Sequence, residues 1–366
     1  MIQIRSLSAH LRDFRIHPQI RIVSSAGSHV YSRFLHVVVE DNDGCRGWGE
    51  AATTLQWSGE NAEMAQLLLE RIFVPALRGI TLSHPSEAAP LMDRLTQGHP
   101  FLKGAVDCAL WDLFARKSDR SVASLVRTRS LPARLPSRAS IGMFPVRETA
   151  AAARFFWEAG IRTLKFKTGL PGTLDQERLK TVREELGNEP VFTVDYNGRF
   201  RCPKEALLSI LSWEKFSIAL VEQPTHRDGL HLLAEVRKHC PVPVIADESI
   251  FTPDDLEEAL SLEACDVVCL YPGKNAGLTT SLAMADRCAE AGLSCVAGSN
   301  LETNVGLAAT LTMAAAHPAF PVAEIPGDFA SGLYYEQHTS RPDLFLENGS
   351  MPLPNSPGFG VEPSLG

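Results

Sequence analysis

None of the eight cysteines forms a C-x-x-C pair, and most sit inside apolar runs such as Asp266-Val267-Val268-Cys269-Leu270. That spacing argues against a cysteine-rich zinc module or a redox dithiol and leaves buried, reduced thiols as the expectation. Reduced thiols make the cytoplasm the expected compartment. Basic tracts are missing too, and the net charge is −8, so nucleic acid is not an expected partner. No apolar run approaches the length of a membrane-spanning helix, and the opening MIQIRSLSAH does not read as a signal peptide, so no membrane association is expected. No GxGxxG follows the first strand, which weighs against a dinucleotide fold. There is no low-complexity segment.

The chain has 366 residues, too many for one ordinary domain but enough for a barrel and a smaller unit. Hydrophobic residues make up 45% and charged ones 21%, the texture of a globular enzyme. The first part reads as antiparallel sheet followed by helices. Phe34 to Glu40 is a strand, Asp41-Asn42-Asp43-Gly44 a turn, and Gly47 to Ala51 the return strand. Helices are expected from Asn61 to Leu77 and from Leu102 to Lys117, the second with Ala105, Ala109, Leu110 and Leu113 at helical spacing.

After Leu131-Pro132-Ala133-Arg134-Leu135-Pro136 the texture changes to short apolar strands alternating with amphipathic helices. Strands are expected to end near Ile141, Lys167, Asp195, Glu222, Asp247, Tyr271, Ser299 and Glu324. Thr252-Pro253-Asp254-Asp255 reads as the start of a helix, with Thr252 as N-cap and Asp255 as the acid of a capping box. Eight strand ends repeating near 25 residues argue for a β/α barrel over an open doubly wound sheet. The chain thus divides into residues 1–132, a barrel over 133–326, and a proline- and glycine-rich segment over 327–366 expected to pack on the N-terminal unit.

Three of the strand ends are acids. Glu222 follows Asp195 by 27 residues and Asp247 follows Glu222 by 25, the length of one strand, loop, helix and return loop. Side chains so placed converge on one rim of a parallel barrel, and three converging carboxylates repel unless a hard divalent cation holds them. No His or Cys joins them in this reading, so the expected ion is Mg²⁺, with Mn²⁺ possible on the same ligands, and not zinc. Lys165 and Lys167 end the strand 28 residues before Asp195 and, two apart, share a face. A lysine in a crowded cationic site has its pKa lowered and becomes a competent base near neutral pH. Lys167, the more distal, is the expected base and Lys165 its electrostatic partner. A cation on a substrate carboxylate, with a lysine beside it, suits removal of the proton from the adjacent carbon.

The motifs Lys165-Phe166-Lys167, Asp195 in VDYN, Glu222 in VEQP and Asp247 in ADES, with GWGEA at 47–51 and PGFGV near the C-terminus, resemble the enolase superfamily, muconate-lactonizing subgroup. The resemblance spans nearly the whole chain. It implies a (β/α)7β modified TIM barrel under an α+β capping domain built from both chain ends. It implies Mg²⁺ on Asp195, Glu222 and Asp247, a small-molecule carboxylate substrate, and a homo-oligomer. Capping loops near Ile22–Tyr31 and Gln56–Glu60 would set specificity. Trp57, Asn197, Ser299, Asn300 and Glu302 are the expected substrate-contacting residues.

One position departs from the family. Relatives carry a second catalytic lysine at the end of the sixth strand; in Leu270-Tyr271-Pro272-Gly273-Lys274 that place falls to Tyr271, with Lys274 as the family's second, non-catalytic lysine. Tyrosine, with a reference pKa near 10, is a poorer base. One-base chemistry from Lys167 follows: cycloisomerisation first, then acid-sugar or hydroxy-acid dehydration by syn elimination, with amino-acid or dipeptide epimerisation third. A degraded site that only binds an acid ligand is the non-enzymatic alternative, and a Schiff-base aldolase a further one. Glu248, beside Asp247, is expected to point away from the metal and bond to a neighbouring lysine.

Overall fold

A computed structural model of the chain describes residues 1–25 and 27–364. Ala26, inside the capping loop Ile22–Tyr31, and residues 365 and 366 of the C-terminal segment lie outside the described residues. The N-terminal unit is a four-stranded antiparallel sheet in the order Arg46–Ala51, Tyr31–Asp41, Ile2–Arg15, Thr81–Leu82. The 14-residue strand Ile2–Arg15 pairs along almost its whole length with Tyr31–Asp41. Alternation in Tyr31–Asp41 is weak because most of its residues are buried, on both faces of the strand.

The helix Pro100–Lys117 covers that sheet and has 14 buried residues, so it is enclosed nearly all round. Its close contact with the sheet explains GWGEA. A Cβ at Gly47 would overlap the Ala109 carbonyl oxygen, and one at Gly49 that of Ala105. Asp112 of the same helix accepts the backbone N–H of Trp48 at 2.9 Å and that of Phe359 at 2.6 Å. One buried carboxylate therefore ties the GWGEA strand and the PGFGV turn to a single helix.

Seven parallel strands follow in strict sequence order: Arg138–Ile141, Thr163–Lys167, Val191–Asp195, Ile218–Glu222, Val244–Ala246, Val267–Leu270 and Ser294–Ala297. Helices Val146–Glu158, Leu174–Leu186, Pro203–Leu211, Leu230–His239, Pro253–Ser261 and Leu278–Glu290 lie between them, and Asn304–Ala316 follows the seventh. The capping box expected at Thr252 and Asp255 is present. The eighth station differs from expectation. Pro321 to Ile325 form a turn, and the chain reaches the sheet at Gly327–Asp328. Arg138 N–H donates to Gly327 O at 2.9 Å on one edge, and Asp328 N–H to Ala297 O at 2.9 Å on the other. Backbone hydrogen bonds thus close the barrel across its two edge strands.

Beyond the barrel, Ser350–Pro352 pairs with Arg134–Pro136, Tyr335 bridges to Ile16, and Val122 N–H donates to Gly358 O at 2.8 Å. No helix among the described residues is long and apolar enough to cross a membrane.

Candidate active site

Register places Asp195 and Glu222 at one level, with Asp247 two residues beyond Ile245, the partner of Glu222. Asp195 pairs with Lys167 on one side and with Glu222 on the other. Asp247 stands one residue past the strand Val244–Ala246. Asp195 and Glu222 are almost fully buried and Asp247 is 7% exposed. Glu222 and Asp247 line a cavity of about 1020 Å³, counted with the solvent at its open mouth, that is also lined by Lys165, Lys167, Arg138, Asp328 and Asn197; Asp195 lies behind this lining. Thr54, Gln56 and Trp57 reach it from the capping unit, as do Ile22 and His29.

The floor is a ring of alternating charges. Lys165 Nζ lies 3.1 Å from Glu222 Oε1, 2.9 Å from Asp328 Oδ2 and 3.6 Å from Asp195 Oδ2. Arg138 Nη2 lies 2.8 Å from Asp328 Oδ2 and 3.0 Å from Glu222 Oε2. The last pair is close but misaligned, since Glu222 Oε2 accepts no hydrogen bond. Lys167 Nζ donates to Asp195 Oδ2 at 2.6 Å.

These neighbours correct one expectation. Lys165 does not have its pKa lowered: burial and the Arg138 charge pull it down, but Asp328, Glu222 and Asp195 outweigh them and hold the ammonium well above its ordinary value. Asp328 is buried too, which raises its pKa, yet Arg138 and Lys165 hold it well below the usual carboxylate range. Burial raises the Asp195 carboxyl, and Lys167 and Lys165 reverse that and lower it.

On the far side Lys274 is fully buried. Its Nζ donates to the Asp247 carbonyl and Oδ1 at 2.8 Å each and to the Cys269 carbonyl at 2.7 Å. All three ammonium protons are engaged. Glu248 bonds to no lysine, contrary to expectation. Its Oε1 accepts from Asn197 Nδ2 at 2.7 Å and from Trp57 Nε1 at 3.2 Å. Burial, then Asp247 and Asp195, push its carboxyl up to about 8. Asn197, at φ +46°, also donates its backbone N–H to Asp195 Oδ1 at 2.9 Å.

Tyr271 is 1% exposed and is not among the cavity-lining residues. Its ring packs 6.3 Å from Trp57 and 6.5 Å from Phe101, and a Cβ at Gly298 would press on it. Burial first, then Asp247 and other nearby anions, push the phenol well up. Ser299 and Asn300 line the cavity, but Glu302 does not. Glu302 is turned into its own loop, taking Ser299 Oγ at 2.5 Å and Asn300 N–H at 2.9 Å, so loop hydrogen bonding explains it. Asn300 Nδ2 donates to the Ala52 carbonyl at 2.5 Å and to Thr54 Oγ1 at 3.1 Å, which joins the seventh barrel loop to the capping unit.

Sequence reading missed Arg138, Asp328 and Cys269. Among the described residues, the acids, thiols and imidazoles whose ligand atoms all lie within 4.8 Å of one another are Glu222, Asp247 and Cys269. The expectation that no cysteine joins the acids is therefore corrected. Cys269 lies two residues before Tyr271, so strand alternation gave the signal that its thiol faces the barrel interior. The buried oxygen donors, with Glu222 Oε2 accepting no hydrogen bond, suit a hard divalent cation.

This architecture, a parallel barrel with acids and lysines at its strand ends under a mixed cap, defines a class of α/β-barrel enzymes. Residues 148–365 match the family model described as enolase C-terminal domain-like, and residues 12–126 match that of the mandelate racemase/muconate lactonizing enzyme N-terminal domain. The chain is 30% identical to muconate cycloisomerase 1 of Rhodococcus opacus, covering 90% of this chain and 88% of that protein. It is 29% identical to o-succinylbenzoate synthase of Bacillus subtilis, covering 90% and 86%. The solved L-Ala-D/L-Glu epimerase of Bacillus subtilis superposes with a TM-score of 0.92 at 25% identity over 100% of both chains. The chain belongs to the enolase superfamily, in its muconate-lactonizing subgroup, and is an enzyme.

Proposed function

We propose that this enzyme removes the proton adjacent to a substrate carboxylate with Lys167 as its single base. One observation carries the reading: Lys167 lines the cavity, while Tyr271, at the station across the barrel, does not. Lys274 offers no replacement, because its three protons are held by Asp247 and Cys269. Asp195, Glu222 and Asp247 would hold Mg²⁺ or Mn²⁺, which when bound stabilises charge developing on the substrate carboxylate. Lys165, kept protonated by Asp328 and Glu222, adds a fixed positive charge beside the reacting carbon. Asn300 holds the cap over the cavity and so helps exclude water.

One base favours cycloisomerisation of the kind named for the Rhodococcus relative. A second reading, syn elimination of water from a hydroxy acid, is favoured by the wall. Ser140, Ser299, Ser331, Asn197, Asn300 and Gln56 offer hydroxyl and amide groups there beside the apolar Ile22, Trp57, Leu301 and Ala330, which suits a substrate carrying hydroxyl groups. A soluble homo-oligomer in the cytoplasm completes the proposal, and all eight cysteines are free thiols. The test is ¹H NMR and mass spectrometry in D₂O with Mg²⁺ over pooled muconates, acid sugars, N-acyl amino acids, dipeptides and hydroxyprolines. Rearrangement or loss of water, abolished in Lys167→Gln, is the expected result. Exchange with inversion at the α-carbon would overturn one-base chemistry.

A further inference from the structure

Cys269 is buried on the sixth barrel strand, and the oxygen-only metal set has no use for it. Its Sγ and one carboxylate oxygen each from Glu222 and Asp247 lie within 4.8 Å of one another. Gly298 makes room for it, since a Cβ there would overlap the sulfur. A second observation belongs to the same cluster. Glu222, 2% exposed, leaves Oε2 without a hydrogen bond, facing only the misaligned Arg138 Nη2 at 3.0 Å, while Asp195 is drawn aside by Lys167 at 2.6 Å. Two oxygens and a sulfur thus converge where one acid of the expected set is engaged elsewhere.

We propose that Glu222, Asp247 and Cys269 form an alternative centre for thiophilic divalent ions, such as Zn²⁺, Co²⁺ or Cd²⁺, with Asp195 left on Lys167. Sulfur separates these ions from Mg²⁺: thiolate is a ligand for the softer cations and a poor one for a hard cation that prefers oxygen. On binding, the S–H bond breaks, its electron pair stays on sulfur and forms the S–metal bond, and the proton passes to solvent. No atom changes oxidation state. Because Glu222 and Asp247 serve both sets, a thiophilic ion excludes the hard one, so the centre acts as a metal-selective inhibitory site. This rests on the metal role proposed for Glu222 and Asp247.

The test uses metal-free full-length protein titrated with Co²⁺, read as the near-ultraviolet sulfur-to-cobalt charge-transfer band, with Mn²⁺ binding followed in parallel by electron paramagnetic resonance. The wild type is expected to show the band. Cys269→Ser is expected to lose it and still bind Mn²⁺, and Cys269→Ala serves the same purpose should the serine fail to fold. Absence of the band in the wild type overturns the proposal. So does a band that survives in both variants, which would assign the sulfur to Cys265, Cys288 or Cys295, neighbours of one another in the core. A wild type that shows the band but binds no Mn²⁺ would instead overturn the Mg²⁺ reading and leave the thiophilic centre standing.

Discussion

The Lys165 ammonium lies 2.9 Å from Asp328 Oδ2, on a carboxylate that belongs to the eighth barrel station and to none of the recognised motifs. The same oxygen lies 2.8 Å from Arg138, which is fully buried and has Nε and Nη1 without hydrogen-bond partners. Asp328 therefore serves two cations at once. Asp328→Asn leaves both under-compensated, and breaking a buried pair from one side costs about 3–5 kcal/mol. In Arg138→Met the matching charge is gone, so adding Asp328→Asn should cost about 1–3 kcal/mol less than it does alone. Denaturant unfolding of the four proteins measures the coupling, and strict additivity would refute the shared pairing.

Lys167 and Tyr271 give opposite expectations for the same assay. Lys167→Gln removes the base and should lower α-proton exchange by about 10²–10⁴-fold. Tyr271→Phe keeps the ring packed on Trp57 and removes a hydroxyl that bonds to no described residue, so turnover should change by less than about threefold. A loss in Tyr271→Phe comparable to that in Lys167→Gln would place the phenol in the chemistry.

Gly49 packs against the helix Pro100–Lys117 backbone to backbone, and no rotamer can relieve a methyl there. Gly49→Ala should cost at least about 3 kcal/mol, the upper end of ordinary overpacking. Gly44, in the turn, has φ +81° and open space around it, so Gly44→Ala bears only backbone strain, about 1 kcal/mol. Thermal melting of both variants ranks the two costs, and the reverse order would mean the sheet can shift off the helix.

The three strand-end acids were legible as positions because each ends or follows a short apolar strand and the repeat is regular. Asp195, Glu222 and Asp247 needed only spacing, and parallel register sets Asp195 beside Lys167 and Glu222. Asp328 escaped because its station is one backbone bridge, Gly327 to Ser137, and one hydrogen bond to Ala297, not a strand, preceded by the Pro321–Ile325 turn, so no apolar run announces it. Arg138 escaped because a lone arginine in RLPSRAS reads as a solvated side chain, and only barrel closure buries it. The Glu248 partner was misjudged for a related reason: Trp57 comes from the cap, and sequence distance hides contacts between the two units. The charge of the floor is thus set by long-range contacts, while the positions of the three strand-end acids are set locally.

Glu60 ends the capping loop that carries Trp57, and its stability effect has a definite sign. Its Oε1 accepts the Phe101 N–H at 3.1 Å, at the start of the helix Pro100–Lys117. Its Oε2 is buried without a hydrogen bond, 3.9 Å from His99 Nδ1. Burial pushes the carboxyl up to about 7 from an ordinary 4.5, against the Phe101 and Leu102 N–H groups and the Lys103 charge. Between those values the folded protein holds a proton that the unfolded chain has released. The stability this group contributes is therefore complete below about pH 4.5 and is lost as pH rises through about 7. Glu60→Gln keeps an oxygen for Phe101 and carries no charge at any pH. The two proteins should melt alike near pH 4.5 and separate as pH rises, with the glutamine variant more stable at pH 8 by up to about 3 kcal/mol. Melting curves that stay parallel from acid to alkaline pH would show that Glu60 reaches solvent when ionised and that its burial imposes no pH dependence.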